Sequence, residues 1–108
     1  MKKVQTQFRQ GDVLIERISE KVPMEAVPSK PDERGRHVLA DGEVTGHAHA
    51  VKAVASAMYL FGAIKYLEIL SDTEVEHEEH APIGLERGLY KVTRQREYSP
   101  EAIRNVQD

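Results

Sequence analysis

The sequence contains no cysteine, and this absence removes several kinds of chemistry. Disulfide bonds, iron–sulfur clusters, thiolate zinc sites and cysteine nucleophiles are all excluded. Any transition metal bound by the chain must therefore take nitrogen and oxygen ligands. Such ligands favour zinc, nickel, copper, manganese or ferrous iron over soft cuprous copper.

A strong basic excess and a long uninterrupted apolar run are also missing. The net charge is −3, which argues against nucleic acid as a partner because dedicated nucleic-acid binders usually carry a clear positive excess. The first residues lack the apolar segment of a secretory signal. The longest apolar-rich stretch, 54–70, contains Lys65 and Glu68, so we do not interpret it as a membrane span. We expect a cytoplasmic protein without a membrane partner.

The length of 108 residues is that of one domain, and we predict a single β domain over residues 1–108. The segment 21–35 holds Pro23, Pro28 and Pro31 among many charged residues and has no hydrophobic period. This composition predicts a long mobile loop.

Short apolar and β-branched runs between turn residues predict an all-β fold, either a small β-barrel or a sandwich. The clearest runs are 12–18, 36–40, 73–77 and 89–98. Asp12, which follows Gly11, is interpreted as a turn residue. Ser99-Pro100-Glu101 has the pattern of a helix start, so a short C-terminal helical turn is expected.

The segment 51–70 fits two interpretations. It is rich in alanine, as a buried helix would be, but aromatic and β-branched runs flank Gly62-Ala63 in the manner of a hairpin with a type II′ turn. Short apolar runs discriminate poorly between helix and strand. We favour two strands.

Four of the five histidines form two close pairs, His47 with His49 and His77 with His80. Alternate residues of a strand share a face, so the first pair would project together from Cα atoms about 7 Å apart. The second pair would need a bulge or a turn between its members to face one way. We predict that all four are ligands of a divalent transition metal such as zinc, nickel, manganese or iron. His37 stands alone and is expected to face solvent or a neighbour.

Two glutamates, Glu43 and Glu79, lie close to the pairs in sequence and are candidates for a further ligand or a general base. If all four histidines bind one ion, the shell is closed and the role is structural or sensory. If three bind, an open position permits hydrolytic or oxidative chemistry. Whether the protein is an enzyme therefore stays open.

The competing interpretation is a non-enzymatic interaction module. Small open β-structures leave unpaired strand edges, which favour pairing with another copy of the chain. On this hypothesis the protein is a homo-oligomer with its histidines at a subunit interface, which protonation near pH 6 would loosen. An isolated acidic and histidine-rich turn exposed to solvent would have the same sequence.

Several motifs together resemble a family of small bacterial and phage proteins with no assigned activity. They are QGDVLI at 10–15, GEVTGHAH at 42–49, HEEHAPI at 77–83, and GLYKV at 88–92 followed by QREYSPE at 95–101. The resemblance implies that the histidine pairs are the family's site, and it implies no function.

A looser resemblance is to cupins, whose first motif joins a glycine to an HxH pair. Gly42 and the pair at 47–49 are similar to that motif, although its following glutamate is missing. The segment from Pro82 to Arg87 is similar to the second cupin motif, with Arg87 where the ligand histidine would stand. The resemblance implies a metal held inside a small barrel by histidines from separate strands.

Overall fold

The computed structural model describes residues 5–42 and 46–94. Within these residues the regular structure is β, apart from a short 3-10 turn at Ala53–Ala55, and no described helix has the length and hydropathy needed to cross a membrane. The strands are β1 (Gln7–Gln10), β2 (Val13–Ile18), β3 (Val27–Ser29), β4 (Arg36–Asp41), β5 (Ala48–Lys52), β6 (Ser56–Phe61), β7 (Ile64–Ile69), β8 (Thr73–Val75), β9 (Ile83–Leu85) and β10 (Gly88–Arg94). The all-β prediction is confirmed.

Six strands form one antiparallel sheet in the order β1-β2-β10-β7-β6-β3. Its two edges, β1 and β3, do not pair with each other in the described part of the chain, so the sheet is open and not a closed barrel. Two further antiparallel pairs, β4-β5 and β8-β9, are joined where Ala50 and Glu76 exchange backbone hydrogen bonds of 3.0 and 2.8 Å. The joined pairs form a second layer.

The hydrophobic core contains residues of both layers. Alternate side chains of a strand share a face, and strands β2 and β10 bury alternate positions. On β2 Val13 and Ile15 are buried, and on β10 Tyr90 and Val92 are buried. The second layer contributes the following buried side chains to the same core: Leu39, Ala40, Val51, Val75 and Leu85. Of the two predicted architectures, the sandwich describes this arrangement.

The hairpin prediction for 51–70 is confirmed. Strands β6 and β7 pair up to Phe61 and Ile64, which leaves Gly62 and Ala63 as a two-residue turn. Gly62 has a φ of +61°, and Ala63 has no positive φ. A positive φ at the first central residue alone is the signature of a type II′ turn.

Three short strands were not predicted. Strand β1 has a mostly polar sequence, β3 lies inside the segment predicted as a loop, and β9 follows Pro82. Edge strands need little apolar patterning, and β3 tolerates Pro28 because it lies at an edge. The mobility predicted for 21–35 stays a prediction. The predicted helical turn at 99–101 and the end of the last predicted strand lie outside the described residues.

Strand β4 contains a bulge, since its pairing with β5 shifts between Val38 and Ala40. The Lys65 ammonium donates hydrogen bonds to the carbonyl oxygens of Val38 and Leu39, at 3.3 and 2.8 Å. It thereby satisfies carbonyl groups where the ladder is irregular. Beyond the bulge, Ala40 pairs with His49, so this irregularity borders the histidine cluster.

Candidate metal centre

The two histidine pairs converge in space, and His77 lies at the centre. Its ring centroid is 5.6 Å from that of His47, 4.4 Å from that of His49 and 4.6 Å from that of His80. The rings of His49 and His80 are 5.8 Å apart. We call these four residues the histidine cluster. The structure thus brings together all four predicted ligands.

The bridge between β5 and the end of β8 positions the two pairs. His47 lies directly before β5 and His49 lies within it. His77 follows Glu76, which is bridged to Ala50 of β5. The chain then turns, and Nδ1 of His77 accepts hydrogen bonds from the backbone N–H groups of Glu79 and His80 at 3.0 and 3.3 Å. This is the turn that the spacing of the second pair required.

His49 is the most buried member of the cluster, with 2% of its surface exposed. Its Nδ1 lies 2.8 Å from Oε1 of Gln10, which is equally buried. The Gln10 amide nitrogen donates to the carbonyl oxygens of Val75 and Ala81, at 3.2 and 2.9 Å. The amide orientation is therefore fixed with Oε1 as an acceptor. It follows that Nδ1 of His49 carries the proton and that Nε2 carries a free lone pair.

The environment of His49 also keeps it uncharged. Burial, and then the positive charge that His77 would carry, lower the pKa of His49 to about 4 despite the opposing charge of Asp12. The imidazole is consequently neutral at pH 7. Neutral imidazole is the form that binds a metal ion.

His47, His77 and Glu78 offer one donor atom each, and these atoms all lie within 4.8 Å of one another. Nδ1 of His47 is buried without a hydrogen-bond partner among the described residues. Glu78 is held in place because its Oε1 accepts a 2.9 Å hydrogen bond from the backbone N–H of Ala48. That hydrogen bond also lowers the pKa of Glu78. This trio is the most compact donor set in the cluster.

Two glycines allow the backbone to approach the rings. A Cβ atom on Gly42 would lie 2.9 Å from Nε2 of His77 and 2.9 Å from Cβ of His47. A Cβ atom on Gly11, whose φ is +60°, would lie 3.0 Å from Nε2 of His80. Any other residue at either position would displace a ring of the cluster or strain the backbone.

The structure adds Asp12 to the residues of the candidate site, although the sequence led us to interpret it as a turn residue. Oδ1 of Asp12 lies 4.0 Å from Nε2 of His49, and its Oδ2 accepts a 2.7 Å hydrogen bond from Nε of Arg94. Burial alone would raise the pKa of Asp12, but the hydrogen bond and charge of Arg94 outweigh it and lower the pKa. Gln10 was likewise missed, because its role depends on partners 39 or more positions away.

The other residues considered in the sequence analysis, Glu43, Glu79 and His37, are not among the four residues of the histidine cluster. Oε1 of Glu79 is 3.9 Å from Nδ1 of His47, on an exposed side chain. Glu43 lies outside the described residues. His37 was expected to face solvent or a neighbour, and it is buried within β4, so solvent is excluded. It makes no described ring contact with the cluster. A cleft of about 480 Å³ adjoins the cluster, lined by His77 and Glu78 together with Arg34, Arg36, Glu74 and Glu76.

Comparison with known proteins identifies a family. Residues 9–95 match the model of a domain of unknown function, DUF8820. The chain belongs to this family. No curated protein and no solved structure matches it. The DUF8820 match agrees with the predicted resemblance to an uncharacterised small-protein family, and these comparisons show no cupin relationship.

The matched part of this DUF8820 domain includes the whole cluster. Both histidine pairs, Gln10, Asp12 and Arg94 fall within residues 9–95. The site described above is therefore inside the family domain and not in a flanking extension.

Proposed function

We propose that this DUF8820 protein binds a divalent transition metal ion in the histidine cluster. The observation that carries the proposal is the trio of His47, His77 and Glu78, whose donor atoms lie within 4.8 Å of one another. Donor atoms on one ion, each bonded at about 2.0–2.2 Å, lie roughly 3–4 Å apart. Small side-chain movements, together with a change of tautomer or of hydrogen bonding at His77, would bring the three onto a single ion that connects the two histidine pairs.

The chemistry of the donors supports this assignment. Two imidazoles and a carboxylate suit zinc, nickel, manganese or ferrous iron. The unpartnered Nδ1 of His47 gains a partner when an ion is bound, which removes the cost of a buried polar atom without a hydrogen bond. The hydrogen bond from Ala48 to Glu78 orients the carboxylate, as outer partners of metal ligands commonly do.

Three protein ligands leave a coordination position for water. A zinc ion held by His47, His77 and Glu78 would supply an activated water as a nucleophile at neutral pH. Exposed Glu79, close to His47, is the described carboxylate placed to accept a proton there. The adjoining cleft gives a small substrate access to this side of the cluster.

The test is metal analysis of tag-free protein, followed by calorimetric titration with zinc, nickel and manganese. We expect uptake of at least one equivalent by the wild type and a large loss of affinity in His47→Ala and Glu78→Gln. Glu74→Gln is the matched control, because Glu74 is also an exposed glutamate of the cleft but is not one of the three donors. Less than a tenth of an equivalent of any metal, with no uptake on titration, would contradict the proposal.

A homo-oligomeric interaction module is the second candidate. Near the edge strand β3, Met24 is 98% and Val27 is 61% exposed, and such apolar side chains beside a strand edge favour contact with another copy. Light scattering at pH 7.5 and 5.5, with and without chelator, tests it. An oligomer that ignores both chelator and acid supports contact through the apolar edge at β3, and one that ignores chelator but dissociates in acid supports an interface that includes the histidines. A monomer in every condition rejects this candidate.

A further inference from the structure

We propose that the histidine cluster contains a second metal position, formed by His49, His80 and Asp12, beside the one formed by His47, His77 and Glu78. This inference rests on the proposed function and extends it from one ion to two. Nothing in the sequence pattern pointed to Asp12 as a ligand.

The ring contacts divide the cluster into two parts. His47 contacts His77 on one side, whereas His49 and His80 contact His77 and also each other on the other side. The trio that defines the first position uses His47, His77 and Glu78. His49 and His80 are therefore donors that the first ion leaves available.

Nε2 of His49 and Oδ1 of Asp12 are both hydrogen-bond acceptors. Gln10 fixes the proton of His49 on Nδ1, so Nε2 presents a lone pair, and 4.0 Å away Oδ1 of Asp12 presents another. No hydrogen bond can form between them without an added proton, and hydrogen bonds span only about 2.7–3.2 Å. Two acceptors held this close together are stabilised by a cation between them. Tetrahedral donors with bonds of about 2.0–2.2 Å lie roughly 3.3–3.6 Å apart, so a shift of a few tenths of an ångström would bring these two atoms, 4.0 Å apart, onto one ion.

Both donors have outer partners of the kind that hold metal ligands. Gln10 orients the imidazole of His49, and Arg94 holds the other carboxylate oxygen of Asp12 at 2.7 Å. Metal-bound histidines and carboxylates are usually oriented by such hydrogen bonds. The arrangement is thus prepared in the protein fold before any ion is bound.

His80 is the third donor that we assign to the second position, and its ring centroid lies 5.8 Å from that of His49. Its Nε2 approaches the backbone of Gly11 so closely that a Cβ atom there would lie only 3.0 Å away, and 3.4 Å from Cε1 of His49. Three successive residues at the connection between β1 and β2 thus serve the second position. Gln10 orients His49, Gly11 allows the close approach of His80, and Asp12 is a ligand.

The stoichiometry of zinc binding tests the inference. Wild-type protein, Asp12→Asn, His80→Ala and His47→Ala are titrated with zinc by calorimetry, and the bound metal is counted after gel filtration. We expect two equivalents for the wild type and one for each variant. Glu74→Gln, outside both donor sets, should keep two. His80 is exposed and makes no side-chain hydrogen bond that the structure shows, so His80→Ala decides the question if Asp12→Asn folds poorly.

The outcomes separate this inference from the proposed function. One equivalent in the wild type, lost in His47→Ala and kept in His80→Ala, overturns the second position and leaves the first. No uptake at all overturns both. Two equivalents that persist in both Asp12→Asn and His80→Ala would show that the ligands assigned to the second ion are wrong.

Discussion

The six-stranded sheet and the histidine cluster are built on opposite principles. At the centre of the sheet, Ile15, Leu67 and Val92 are buried by apolar neighbours, and their burial stabilises the fold without any specific partner. In the cluster, His49 and Gln10 are equally buried, but each needs a particular hydrogen bond. The stability of the sheet should therefore depend on the volume of its buried side chains. The stability of the cluster should depend on protonation, on bound metal and on its hydrogen-bond partners.

The largest effect is expected in the sheet. Leu67 is fully buried, and Leu67→Ala should lower the free energy of unfolding by about 2–5 kcal/mol through lost burial and the cavity left behind. Urea denaturation measures this loss, with Leu60→Ala, at a partly exposed position of β6, as the control. The loss should be the same with chelator and with zinc. A loss that depends on metal would contradict the separation of the two regions.

The next effect is a pH dependence from the cluster. The pKa of His49 is lowered to about 4 in the folded protein, while an unfolded histidine has its ordinary value of 6.5. Between these two values the unfolded state binds the extra proton, so metal-free protein loses up to about 3 kcal/mol of stability as the pH falls from 6.5 to 4. Buried His37, whose pKa is lowered by desolvation, acts in the same direction.

Urea denaturation at a series of pH values checks this dependence. His49→Asn keeps a donor for Gln10 and should remove most of the slope between pH 6.5 and 4. The same experiment on Leu67→Ala should show an unchanged slope at lower overall stability. A slope that persists in His49→Asn would assign the pH dependence to other groups.

A smaller effect is expected at Gln10. In Gln10→Leu the Nδ1 proton of His49 and two carbonyl oxygens lose their partner, which should cost about 1–3 kcal/mol. Loss of the outer partner of His49 should also weaken binding of the second ion about 10- to 100-fold and leave the ion at His47, His77 and Glu78 unaffected. Gln7→Leu, on the exposed part of β1, is the matched control and should change neither stability nor metal binding. Unchanged affinity for both ions in Gln10→Leu would contradict the assignment of His49, oriented by Gln10, as a ligand of the second ion.

The smallest effect is local and concerns the turn after β8. Nδ1 of His77 accepts two backbone N–H groups, from Glu79 and His80. In the neutral ring that nitrogen carries the lone pair, so an ion must compete for it or the ring must change its tautomer. Zinc should therefore shift the amide resonances of Glu79 and His80 in a ¹H–¹⁵N spectrum, and leave those of the β6-β7 turn unchanged. Equal shifts in both places would indicate a global change.

The sequence predicts features that depend on neighbouring residues, and it does not predict those that depend on distant partners. The Gly62-Ala63 hairpin was predictable because the turn and its flanking strands are neighbours in the chain. The meeting of the two histidine pairs was predictable because residue type and spacing carried the signal. The parts that Gln10 and Asp12 play were not, since each depends on partners that only the folded layers bring near. Strand β1 was missed because its polar edge sequence has no alternating pattern.

The pairing of β2 with β10 has a consequence for how the chain is made. These strands, 13–18 and 88–94, are neighbours near the middle of the sheet, and the Arg94–Asp12 contact joins positions 82 apart. During synthesis, β2 cannot pair with β10 until nearly the whole domain has been translated. Pairing between such distant strands slows folding. Until β10 has been synthesised, Val13 and Ile15 of β2 are exposed to contact with other chains. Nascent chains stopped before residue 88 should therefore be bound by chaperones, and chains extended beyond residue 94 should be released.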